Sequence, residues 1–112
     1  MDGTGAVGAE GQDETPEARR VRHLCRLLEL AELGGDRFRG MAVPGASGRV
    51  FGGQVIAQAL MAAGATTGER LPHSLHAYFL RAGDAAQPVS YQVERDFDGG
   101  RFSNRRVIAR QG

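Results

Sequence analysis

Lysine is absent from this 112-residue sequence, cysteine occurs once, and no long apolar run is present. The single cysteine, Cys25, excludes an internal disulfide and cannot build a cysteine zinc cluster without a partner chain, so nothing favours an oxidising compartment. No segment approaches the roughly 18 apolar residues of a membrane span, and the acidic N-terminus is wrong for a signal peptide. The expectation is a cytoplasmic protein with no membrane partner. Glycine (17) and proline (4) stay below the low-complexity range. A chain of this length is one small globular domain, too short for a multi-domain enzyme.

What is present is charge of uneven placement. Asp2, Glu10, Asp13, Glu14 and Glu17 precede every base, which leaves eight acids against 14 arginines in residues 18–112, a formal charge of +6. Arginine's planar fork suits phosphate, so a polyanionic ligand is conceivable. The arginines are nevertheless spread over all parts of the chain and are not interleaved with aromatics. Nucleic acid is therefore not expected as a partner.

Residues 1–15 are Gly-rich, acidic and almost without large apolar side chains, and the sequence predicts a disordered tail. Gly3-Thr4-Gly5-Ala6-Val7-Gly8 matches a dinucleotide-binding pattern, but no strand precedes it as that loop requires. No cofactor is called for. Thr15-Pro16-Glu17 is a helix start, with a hydroxyl N-cap, proline in the first turn and an acid beside it. Val21, Leu24, Cys25, Leu28 and Ala31 recur at helical spacing, which predicts an amphipathic helix over 16–33, with Cys25 as a small buried hydrophobe and Gly34-Gly35 as its stop.

Residues 37–42 are a short strand candidate. Residues 52–65 carry no charge and are apolar nearly all round apart from Gln54 and Gln58, which predicts a central buried helix too short to span a bilayer. Three β runs follow, at 73–80, 88–97 and 101–110, with Val89, Tyr91, Val93 and Phe97 on one face of the second. Arg81-Ala82-Gly83-Asp84 separates the first two runs, and Asp98-Gly99-Gly100 closes a hairpin between the others. The pattern is α+β, an antiparallel sheet curled around one helix.

Arg49-Val50-Phe51-Gly52-Gly53-Gln54-Val55, continuing through Gln58-Ala59-Leu60, resembles the N-terminal half of the type II acyl-CoA thioesterases. So does His73-Ser74-Leu75-His76-Ala77-Tyr78-Phe79-Leu80-Arg81-Ala82-Gly83-Asp84, at the expected distance downstream. Pro88, Tyr91-Gln92-Val93-Glu94-Arg95 and Gly100-Arg101-Phe102-Ser103-Asn104-Arg105-Arg106-Val107 extend the match in order over about residues 20–112. The resemblance implies a double hotdog fold, of which residues 16–112 are a partial first copy, incomplete at the C-terminus and preceded by the amphipathic helix. It implies an acyl-CoA substrate, hydrolysed to free fatty acid and coenzyme A, and a second hotdog half or homo-oligomer as partner. The family's catalytic Asp, hydroxyl residue and Gln belong to the second copy, so none can be carried onto this chain. The alternative is a non-catalytic acyl-CoA-binding or assembly module of the same fold.

Thioester hydrolysis needs an activated water and a polariser for the carbonyl. Gly52 and Gly53 open the buried helix, where backbone N–H groups can meet an oxyanion, and Gln54 can add a side-chain donor; the other reading is that the glycines serve only close packing of helix against sheet. These three are the candidate substrate-binding residues. No catalytic residue is expected in this chain, His76 being a weak candidate for orienting ligand or water. His73 and His76, three apart on a strand, would face opposite sides and so could not share a metal. Asp84, Asp96 and Asp98 are turn formers. Arg105 and Arg106 should face opposite sides of their strand, one of them a candidate contact for a coenzyme A phosphate.

Overall fold

The computed structural model describes residues 14–112. The dinucleotide-like glycines and nearly all of the expected disordered tail lie outside the described residues. Helix α1 (Pro16–Leu27) begins as its sequence predicts: the Thr15 hydroxyl accepts a hydrogen bond from Ala18 N at 3.0 Å, with Pro16 and Glu17 in the first turn.

The helix ends six residues earlier than expected. Residues Ala31–Gly34 form strand β1, paired antiparallel with β2 (Arg37–Gly40). Gly34, Gly35 and Asp36 all have positive φ, so these glycines turn a hairpin rather than stop a helix. Cross-strand hydrogen bonds outweigh the helical spacing of Leu28 and Ala31. The apolar stripe of α1 is also uncovered: Val21 and Leu24 are more than half exposed and Cys25 is an exposed thiol, contrary to the expectation of burial. A stripe is buried only if something packs on it, and no element among the described residues lies over this one.

Helix α2 (Gly52–Gly64) confirms the apolar helix. It packs across a four-stranded antiparallel sheet of order β1-β2-β3-β4, where β3 is Val89–Asp98 and β4 is Ser103–Arg110. Phe38, Val89, Tyr91, Val93 and Ala62 form the core, with Leu30, Val55, Ala59 and Val107 packed around them. Burial alternates along β3 through Val93 and then fails. A register shift between Arg95 and Phe97 breaks the ladder, leaving Phe97 exposed rather than on the core face. The sheet covers α2 on one side only, so Gln58 and Ala62 are buried while Met61, one position from Ala62, is about half exposed.

Residues 73–80 are not a strand. Residues 71–80 run as irregular, wholly exposed chain. Their two ends are nevertheless tied beside the two ends of β4. Arg70 donates to the Ser103 hydroxyl (2.8 Å) and to the Gly99 carbonyl (2.8 Å), and the His73 ring meets Phe102 edge-on with centroids 5.3 Å apart. At the other end Gln111 accepts from Asp84 N and donates to the Asp84 carbonyl, both at 2.8 Å. The segment thus flanks β4 in the same chain direction without pairing to it. A β-strand needs a hydrogen-bonded neighbour, and none reaches this one.

Candidate functional site

Phe51 is the N-cap of α2, without a side-chain cap, and its carbonyl accepts from Gln54 N (3.0 Å) and Val55 N (3.4 Å). Gly52 and Gly53 therefore hold the first two amides of the helix, and neither meets an acceptor among the described residues. The first turn contains no acid. The end of α2 is thus a pair of free donors with the positive pole of the helix behind them.

Aromatic rings crowd this end. A Cβ on Gly52 would stand 3.2 Å from the Phe79 ring, and one on Gly53 would stand 2.5 Å from the Phe51 ring. The glycines therefore admit close packing of rings from the flanking chain, whereas the sequence had pointed to packing of helix against sheet. Gln54 is half-buried one turn before Gln58. His76 lies on the exposed run, its ring 4.8 Å from Tyr78. Phe79, three residues on, is what that run brings to Gly52, so His76 itself is not joined to the glycines. Because residues 73–80 form no strand, the opposite-face rule does not apply to His73 and His76. Among the described residues no group of three or more His, Cys, Asp or Glu side chains could hold a metal ion.

Arg105 and Arg106 do face opposite sides, and both are engaged. Arg105 is almost fully buried; it donates to the Thr66 hydroxyl (2.7 Å), the Thr66 carbonyl (3.0 Å) and Asp98 (2.8 Å), anchoring the chain after α2 to the β3–β4 hairpin. Arg106 pairs with Asp96 on the outer face. Hydrogen bonds from Ser103 and from Arg105 hold the Asp98 carboxyl below the usual carboxylate range. Asp36 is held low in the same way by Arg95, whose fork meets it at 2.7 and 3.0 Å.

Gln58 is the residue whose role the sequence did not disclose. Within an apolar helix it is fully buried; it donates from Nε2 to the Leu27 carbonyl (2.8 Å) and accepts from the Tyr91 hydroxyl on Oε1 (2.5 Å). One amide thereby joins the end of α1, the middle of α2 and the start of β3. Gly40 lies directly against it, and any side chain there would overlap the amide. Burial pushes the Tyr91 phenol well above its ordinary pKa, so it remains a donor.

An antiparallel sheet with one apolar helix laid across it, opening at paired glycines, is an α+β hotdog arrangement, here present in part. Residues 42–112 match the profile of the acyl-CoA thioesterase N-terminal domain. The chain belongs to that family. It is 43% identical over 105 residues to human acyl-coenzyme A thioesterase 8 (93% of this chain, 33% of that one) and 44% identical over 84 residues to acyl-CoA thioesterase 2 of Haemophilus influenzae (74% and 29%). Among solved structures it superposes on a TesB protein of Mycobacterium avium subsp. paratuberculosis with TM-score 0.76 and 46% identity, over 80% of this chain and 37% of that one. The acyl-CoA thioesterase II TesB2 of Mycobacterium marinum gives 0.69 and 42%, over 80% and 32%. The chain thus spans about a third of the length of these relatives.

Proposed function

We propose that this chain is the N-terminal part of an acyl-CoA thioesterase that hydrolyses fatty acyl-CoA to free fatty acid and coenzyme A. Residues 16–112 are its partial hotdog domain, residues 1–15 a tail outside it, and the compartment cytoplasmic. The Gly52 and Gly53 amides, with the Gln54 side chain, contact the thioester or the pantetheine arm, and the general base comes from a second hotdog half. The observation that carries this reading is the end of α2: two free amide donors suit a developing oxyanion, yet no carboxylate stands in that turn to activate water. The flank formed by β4 and residues 71–80 supports the partner assignment. Among the described residues the outer edge of β4 and the backbone of residues 71–80 pair with no strand, and Leu71, Tyr78 and Leu80 are more than 80% exposed.

The missing acid equally favours a binding or assembly module, and one experiment separates the two. The chain is mixed with the remaining segment of the M. avium TesB relative, and coenzyme A release from a fatty acyl-CoA is followed by chromatography. Hydrolysis by the mixture and by neither part alone supports the thioesterase reading. A stable but inactive complex that retains acyl-CoA overturns it in favour of the module.

A further inference from the structure

Three arginines meet on the face of the sheet turned away from α2. Arg39 stands opposite Ser90 and Ser90 opposite Arg110, so one row across β2, β3 and β4 reads Arg-Ser-Arg. Arg37, two residues from Arg39 on the same face, stands opposite Gln92. With neighbouring strands about 4.8 Å apart, the two arginine stems of the row rise about 10 Å from each other with only a serine between them. The result is a groove of about 230 Å³ lined by these three arginines with Ser90, Gln92, Leu33 and Ile108.

Among the described residues none of the three forms an ion pair; the pairs present engage Arg19, Arg22, Arg95, Arg105 and Arg106. Among the described residues Arg37 donates only to the Gly34 carbonyl, at 3.4 Å. Glu94 and Asp96 lie farther along β3, and Asp96 is taken by Arg106. Like charges on adjacent positions of a sheet repel, so a bound anion relieves the cluster. Guanidinium forks take phosphate oxygens in pairs, and forks converging over a small residue can grip two linked phosphates. The groove is one confined patch, and its one aromatic lining residue, Tyr91, is fully buried with its hydroxyl on Gln58 of α2, so no exposed ring is offered for nucleobases to stack on, which argues against a nucleic-acid track.

We propose that the outer-face groove of Arg37, Arg39 and Arg110 binds a small diphosphate-bearing anion. The proposal does not depend on the acyl-CoA reading. Inorganic pyrophosphate is titrated calorimetrically into the 112-residue chain at constant ionic strength, with amide NMR shifts followed in parallel. The expected result is saturable one-to-one binding with shifts at Ser90 and Gln92, weakened about tenfold or more in Arg39→Gln/Arg110→Gln and unchanged in Arg20→Gln on exposed α1. If the double variant fails to fold, Arg37→Gln and Arg110→Gln singly carry the test, each expected to weaken binding about threefold or more. Unsaturable binding, equal affinity in the groove variants, or a single-stranded oligonucleotide that outcompetes pyrophosphate at the same arginines overturns the proposal.

Discussion

At the scale of single residues, Gln58 and Tyr91 hold the molecule in register. Tyr91→Phe keeps the ring but leaves Gln58 Oε1 buried without its donor. The expected loss is about 1–3 kcal/mol in urea unfolding, the cost of an orphaned buried polar group. Gly40→Ala pushes on the same amide from the other side and should destabilise in the same direction. Asp36 and Asp98 act through charge instead. Both carboxyls are held below their ordinary values by hydrogen-bonded partners, so they bind fewer protons folded than unfolded. Their contribution is fully present above about pH 4 and is lost as pH falls through the lower folded values. Asp98→Asn should therefore flatten the acid limb of a stability profile while changing its slope between pH 6 and 8 little, as thermal melts across about pH 2–8 will read.

Single elements differ in how much of their apolar surface is used. In α2, Ala62 is wholly buried and Met61 is about half exposed, although they are adjacent in sequence. Ala62→Glu places an unpaired carboxylate against the sheet and should cost several kcal/mol, whereas Met61→Glu should cost less than about 1 kcal/mol by the same urea titration. The stripe on α1 has no cover among the described residues. Leu24→Glu should leave stability within about 0.5 kcal/mol of the parent, and the Cys25 thiol should react with a disulfide reagent as fast as a free peptide thiol. Protection of Cys25 would show that this face is covered in solution.

At the scale of the whole molecule, β4 is an edge strand whose outer side pairs with no strand among the described residues. That unpaired edge and the exposed apolar run at 71–80 beside it form a template for further strand pairing. Sedimentation of the 112-residue chain should show concentration-dependent self-association, reduced in Tyr78→Lys/Leu80→Lys, both of which alter side chains that touch nothing in the core. A monodisperse monomer at high concentration would mean that this flank is closed by other means.

Local chemistry decided what the sequence could specify. Thr15-Pro16-Glu17 starts a helix because hydroxyl cap, fixed φ and first-turn acid act within four residues, and the uncharged run of α2 and the alternation at Val89, Tyr91 and Val93 are equally local. The family, too, was legible, because ordered blocks of residues survive without reference to contacts. Where a segment's state depends on a distant neighbour, the sequence misled. Residues 31–34 became a strand because β2 offered hydrogen bonds, and residues 73–80 did not because they flank β4 without pairing to it. The same applies to the candidate site. Gly52 and Gly53 were readable as a helix opening, but the rings crowding them, the Gln58–Tyr91–Leu27 junction and the Arg37, Arg39 and Arg110 cluster exist only through register across elements. Burial and pairing are properties of what packs alongside, and side chains tens of residues apart in sequence settle them only when the sheet has formed.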